Sequence, residues 1–206
     1  MATRSYASFR RLLRESGCTK CALSEGRANI VVDRGNPVPG IVVIGEGPGE
    51  EEDLRGKAFV GRSGRLLDRL LARAGIDSNR DILITNVVKC RPPKNRAPRP
   101  GEAEACLPFL RKQLLLVRPR AILLLGATAV RHLLPGKRKF TMRDEVGRVF
   151  ASPEHPGAEI MILYHPAYLL RDPRRQPRFV EHVEHLRRHL ERLGPGVGTL
   201  TDFPGR

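Results

Sequence analysis

Residues 41–53 read IVVIGEGPGEEED. The opening IVVI is wholly β-branched, which suits a short strand buried on both faces. The run stops at a glycine-rich turn that holds Glu46, and Glu50, Glu51, Glu52 and Asp53 follow at once. A glycine turn after a strand is where α/β proteins often cradle phosphate. Here five carboxylates crowd it, in a chain with 37 Lys and Arg against 22 Asp and Glu. Like charges ~4 Å apart repel by about 4 kcal/mol at an effective dielectric near 20. The Lys–Ser/Thr pair of a P-loop is missing, and GEGPGE lacks the third glycine of a dinucleotide fingerprint. The turn therefore suits a flat neutral group or a sugar, which glycine lets approach the backbone. The acids at 50–53 fit the first turn of a helix, where the macrodipole favours them. Glu46 precedes that helix and is the better catalytic candidate.

Reading outward, the pattern alternates. Ser63 is expected to cap a helix running to about Ala74, with Leu66, Leu67, Leu70 and Leu71 on one face and Gly75 as the stop. DILITNVV (81–88) reads as a second strand, AILLLG (121–126) as a third and EIMILY (159–164) as a fourth. Helices are expected from about Glu102 to Val117, despite Pro108, over ATAVRHLL, and from roughly 175 to 193. A minor strand is expected at RVF. This alternation predicts an α/β fold with a central four-stranded, mostly parallel sheet flanked by helices, a three-layer sandwich. Residues 1–193 are expected to form one domain, since about 200 residues support a single sizeable core. Residues 194–206 read as a loose tail.

In open parallel sheets, ligands bind beyond the carboxyl ends of the strands. Glu46 follows the first strand, Asn86 ends the second, Gly126 follows the third, and His165 follows the fourth in HPAYLLR. A carboxylate, an amide and an imidazole are thus expected at one sheet edge. An amide both donates and accepts, which suits the edge of a base. Phe59, in GKAFVGRSG, fits either core packing or stacking on a ring.

The net charge of +15 and pI near 10.7 point to a polyanionic partner, most simply nucleic acid, or to a solvated basic surface. The loop KCRPPKNRAPRPG is basic, proline-rich and acid-free. No apolar run approaches the roughly 18 residues of a membrane span, and no signal peptide is visible. The N-terminal MATRSYASFRRLLRESG resembles a transit peptide in composition, but Tyr6, Phe9 and Leu13 share one helical face and point to a structural helix in a cytoplasmic protein. Four cysteines occur: Cys18 and Cys21 in CTKC, then Cys90 and Cys106. A secreted disulfide framework does not fit so few cysteines in so long a chain. Four thiolates suffice for a complete metal shell. The wide second spacing favours an iron–sulfur cluster over a zinc site built from two CxxC knuckles.

GEGPGEEED, FVGRSGRLL, TNVVKCRPPKNRAP and HPAYLLR, in that order, resemble the family 4 uracil-DNA glycosylases, the iron–sulfur members of their superfamily. The resemblance spans about residues 9–190. It implies a monofunctional DNA repair glycosylase that flips uracil out of single- or double-stranded DNA and hydrolyses its N-glycosidic bond. It implies a structural [4Fe–4S] cluster on Cys18, Cys21, Cys90 and Cys106. Glu46 and Gly47 match the first pocket motif, Phe59 the stacking aromatic, Asn86 the edge-reading residue and His165 the histidine of the second motif. Glu52 resembles an acid near the C5 edge of the base. The expected phosphate contacts are Lys89, Arg91, Lys94, Arg96, Arg99 and Arg171, with Tyr168 or Leu169 as a wedge in the vacated stack. The first motif reads GEGPG where alanine is common at its third position, a change between small residues. A related branch traps uracil-DNA through a histidine in the loop matching residues 91–105, and this chain has none there. The implied assembly is a prokaryotic cytoplasmic monomer, with a sliding clamp as a further candidate partner. The competing readings are a metal-stabilised nucleic-acid-binding protein without catalysis, and a glycosylase of broader deaminated-base specificity.

Overall fold

The computed structural model describes residues 5–134, 136, 139–152 and 154–192. Its sheet has six strands: β1 (Arg34–Gly35), β2 (Ile41–Gly45), β3 (Ile82–Asn86), β4 (Ala121–Leu125), β5 (Val149–Ala151) and β6 (Glu159–Leu163). They lie in the order β1-β3-β2-β4-β6-β5. The four apolar runs are the parallel centre, as expected. Two short strands add antiparallel edges, β1 on β3 and β5 on β6. The sheet is therefore mixed, with β5 at the anticipated RVF and β1 unforeseen.

The helices are α1 (Tyr6–Glu15), α2 (Glu50–Arg55), α3 (Arg62–Arg73), α4 (Pro100–Val117), α5 (Ala127–Leu133), α6 (Met142–Glu145), α7 (Pro166–Arg171) and α8 (Gln176–Arg192). Alternation along β2 separates two cores. Val42 and Ile44 pack with Phe9 and Leu13 of α1 and Leu110 and Leu114 of α4. Ile41 and Val43 pack with Leu67 and Leu71 of α3 and Phe179 and Val183 of α8. Neighbouring strand residues face opposite ways, so a fully apolar strand seals both layers. Pro108 lies inside α4 without dividing it. Helix α3 starts one residue before Ser63, on the N-cap Gly61. The tail 194–206 lies outside the described residues.

The acids that follow the glycine turn all fall in the first turn of α2. Each is engaged. Asp53, buried, accepts from the backbone N–H groups of Ala28 and Asn29 at 2.9–3.1 Å. Glu51 meets Arg55 and Arg65, and Glu50 meets Arg91. This leaves Glu46 as the carboxylate within the turn itself.

Candidate active site

Parallel register brings the strand ends level: Gly45 lies beside Asn86, and Leu125 beside Leu163. Beyond that edge opens a cavity of about 640 Å³. Glu46, Gly47, Phe59, Asn86 and His165 all line it. The chain reverses its winding direction between β2 and β4, since β3 lies on one side of β2 and β4 on the other. Glu46 rises from one side of this crevice. From the other side, the Thr128 hydroxyl in the first turn of α5 donates to Glu46 Oε2.

Asn86 is 1% exposed, and neither Oδ1 nor Nδ2 has a hydrogen-bond partner among the described residues. A buried amide left unpaired costs about 1–3 kcal/mol per group. Its place at a cavity wall suits it to hydrogen-bond a group that enters there. Space for it comes from Gly45: a Cβ there would lie 2.6 Å from Asn86 Oδ1 and collide with the Phe59 ring. Phe59 has a left-handed backbone, with φ 52°. Gly64 of α3 permits it, because a Cβ at 64 would overlap the Phe59 carbonyl. The Phe59 and His165 rings stand 5.7 Å apart, tilted by 39°.

His165 is the N-cap of α7, and its Nδ1 accepts the Ala167 N–H at 3.2 Å. A neutral imidazole bonded this way carries its proton on Nε2. Protein packed around the ring pushes its pKa down to about 4, helped by the positive charge of Arg171. One edge of the ring still opens on the cavity. His165 is thus a neutral donor at physiological pH. The same displacement links stability to pH. Between about 4 and the ordinary 6.5, the unfolded chain binds a proton that the folded chain does not. The stabilisation is complete above 6.5 and is lost as pH falls towards 4, a difference of roughly 3 kcal/mol. Unfolding free energy followed from pH 7 to 4 should show that loss, and His165→Asn should remove most of it.

Glu52 also lines the cavity, but both its oxygens are taken. Oε2 accepts the Gly49 N–H at 3.1 Å and Oε1 the Gly61 N–H at 2.6 Å. It braces the glycine turn against the start of α3.

Two expected DNA contacts are corrected. Lys89 is 1% exposed, and its ammonium is bonded inside the protein, so it is not presented to a phosphate. Leu169 is fully buried in the core under α7 and cannot act as a wedge. Tyr168 and Arg171 do line the cavity, with Tyr168 packed 4.9 Å from Tyr164. Arg96 lines it too, while forked onto Glu102 at 2.7 and 2.8 Å. Arg91 is held by Asn95 and Glu50, and Lys94 and Arg99 are exposed. Sequence reasoning missed Thr128 and Arg131, both in the cavity wall. The signal was available: they lie in the helix directly after the third strand, at the edge where ligands bind.

The four cysteines, from α1's far end, the loop after β3 and α4, line a second, small cavity. They are free thiols. Arg27 donates to the Cys18 carbonyl at 2.6 Å and to Cys90 Sγ at 3.4 Å, and the Lys89 N–H donates to Cys106 Sγ at 3.3 Å. Burial pushes the Cys90 thiol up to about 11 and raises that of Cys106, where the charges of Cys21 and Cys18 add to it. Among the described residues, no three Cys, His, Asp or Glu side chains converge closely enough to hold a single metal ion.

The sheet-edge cavity, with an aromatic ring, an amide unpaired among the described residues and a neutral histidine in its wall, has the chemistry to take a planar, hydrogen-bonding ring. Residues 32–197 match the family model of the uracil DNA glycosylase superfamily, and the chain belongs to that superfamily. It is 41% identical to a type-4 uracil-DNA glycosylase of Thermotoga maritima, over 86% of this chain and 91% of that protein. It is 42% identical to one of Pyrobaculum aerophilum, over 76% and 81% of the two chains. With one of Archaeoglobus fulgidus it shares 38% identity over 90% and 93%.

Proposed function

We propose that this protein is a uracil-DNA glycosylase: it takes uracil extruded from DNA and hydrolyses the bond between uracil N1 and sugar C1′. The observation that carries the reading is the buried, unpartnered amide of Asn86, in one cavity with Glu46, Phe59 and His165. Flipping the base costs a few kcal/mol, and stacking on Phe59 returns ~1–3 kcal/mol. Asn86 Oδ1 accepts uracil N3–H, and Nδ2 donates to O4. Cytosine presents an acceptor and a donor in those places, so both contacts fail.

As the C1′–N1 bond breaks, its electron pair passes to uracil and positive charge grows on the sugar. The Nε2–H of His165 donates to uracil O2 and stabilises the leaving anion, joined by N–H groups of the glycine turn. Glu46 offsets the developing cation and orients a water, whose oxygen bonds to C1′ and whose proton the carboxylate takes. Free uracil and an abasic site remain. Thr128 holds that carboxylate in place. Thr128→Val should lower the single-turnover rate about tenfold, within the range expected for a misplaced catalytic group, whereas Thr128→Ser should keep it. Equal rates for the two variants would remove Thr128 from the mechanism.

The four free thiols around one cavity, with Arg27 and Lys89 close by to offset thiolate charge, support a [4Fe–4S] cluster. The wide sequence spacing of Cys90 and Cys106 favours a cluster over a zinc site built from two CxxC knuckles. When bound, the cluster supplies structural cross-linking of the segment after α1, the loop after β3 and α4. The chemistry at the sugar uses the chain's own residues. Phosphates are assigned to Arg171, Arg131, Lys94 and Arg99, with Arg91 and Arg96 available by exchange from their acidic partners. Among the described residues no helix is long and apolar enough to cross a membrane. The proposed setting is the cytoplasm, where prokaryotes such as those of its relatives keep their DNA, and the proposed assembly is a monomer with a sliding clamp as candidate partner. Sedimentation with and without a clamp checks the assembly.

The deciding experiment is incubation with a uracil-containing oligonucleotide, followed by alkali. Strand scission at the uracil is expected. Intact strands would favour a binding protein without catalysis, and scission at hypoxanthine or xanthine would favour broader specificity.

A further inference from the structure

Lys89 stands where a lysine is costly. Taking an ammonium out of water costs several kcal/mol unless its partners are well placed. Here they are. Nζ donates to Thr85 Oγ1 at 2.6 Å and to the Asn86 carbonyl oxygen at 2.7 Å. The Thr85 hydroxyl is itself placed by Val32 O at 2.8 Å and Gln113 Oε1 at 3.3 Å. Gln113 Nε2 donates to the Tyr6 hydroxyl at 2.9 Å, and Tyr6 donates to Asp33, which Arg10 pairs at 2.7 Å. A buried polar chain thus runs from α1, across α4, to the last residue of β3. The backbone of Lys89 is fastened as well. Its N–H meets Cys106 Sγ at 3.3 Å, and its carbonyl accepts the Val31 N–H at 2.8 Å.

Asn86 therefore has two sides. Its side chain faces the cavity without a partner, while its carbonyl is gripped from behind. Among the described residues no side chain hydrogen-bonds the amide from the cavity side, whereas Lys89 bonds the carbonyl of the same residue. The hydrogen bonds that aim the residue therefore act on its backbone.

Resting on the assignment of Asn86 as the base reader, we infer that Lys89 is a positioning residue for uracil excision. Its ammonium clamps the Asn86 carbonyl and its backbone ties the same point to Cys106, so the cysteine site and the base-reading amide share one anchor. A methionine of similar length would fill the space without the clamp.

The test compares wild type, Lys89→Met, Thr85→Val and Thr85→Ser, each with iron per chain and thermal midpoint measured. Hydrogen exchange is read across β3 and residues 87–90. Single-turnover excision and oligonucleotide affinity are measured separately. Lys89→Met is expected to lose exchange protection at residues 86–88, where Val87 and Val88 bond to Gly45 and Glu46. Its excision rate should fall about 10- to 100-fold with oligonucleotide affinity unchanged. Thr85→Val, which removes one of the two acceptors, should lose roughly threefold to tenfold in rate, and Thr85→Ser should restore it. A folded, iron-loaded Lys89→Met with wild-type rate overturns the inference. If Lys89→Met does not fold, Thr85→Val decides: a wild-type rate overturns the inference, and a loss restored by Thr85→Ser supports it. Should wild type itself leave uracil in place, the functional assignment fails, and with it a positioning role in excision, whereas a defect confined to the variants bears on Lys89 alone.

Discussion

Asn86→Leu should give a protein that is more stable and nearly inactive. Leucine fills much the same volume and removes two buried polar atoms that have no partner among the described residues. Relieving them is expected to add about 1–2 kcal/mol to the unfolding free energy. In the complex the cost reverses, because uracil N3–H and O4 then meet a methyl group. A site built to hydrogen-bond its substrate discriminates by ~10⁴–10⁵ against an unmatched partner. The single-turnover rate should fall by at least ~10³-fold. Thermal unfolding and excision assays on one preparation give both signs. A destabilised variant would mean that the amide has a structural partner, and a variant within tenfold of wild type would take base reading away from Asn86.

Cys90→Ala should act in the opposite place, on the fold more than on the chemistry. The thiol lies four residues past Asn86 but in the small cavity, and it meets Arg27 rather than any residue that lines the active-site cavity. Loss of one corner ligand is expected to empty the proposed cluster. Because metal binding free energy is folding free energy, the loss should reach roughly 5 kcal/mol or more, about 10–20 °C in the midpoint for a chain of this size. Residual protein folded at low temperature should excise uracil at close to the wild-type single-turnover rate. Iron analysis, calorimetry and a low-temperature assay are the checks. A colourless variant that melts with wild type would end the structural role of the site.

The four central strands were legible because each is a short, largely apolar run without helical period, the pattern of a sheet covered on both faces. The meeting of Glu46, Asn86 and His165 follows from their places at the ends of parallel strands. The edge strand Arg34–Gly35 was not legible, since two residues carry no period. Arg34 is held there by Ala58, Ser78, Asn79 and Asp68, from distant parts of the chain. Lys89 misled for a related reason. A lysine in an acid-free loop reads as surface, and nothing local reveals that its side chain folds back over Thr85. Leu169 and Tyr168 are neighbours in sequence, but a helix turns about 100° per residue, so one enters the core and the other faces the cavity. Thr128 was hidden among small residues whose only distinction is where their strand ends.

Phe59 and Gly64 together imply a coupled constraint on variation. The aromatic ring is aimed by a left-handed peptide unit, and the missing side chain five residues later makes room for it. A mutational library should thus accept tyrosine at 59 far more readily than alanine at 64, even though 64 touches no substrate. Directed evolution towards larger lesions would then meet its barrier at the helix start behind the ring, and only simultaneous changes at both positions would cross it.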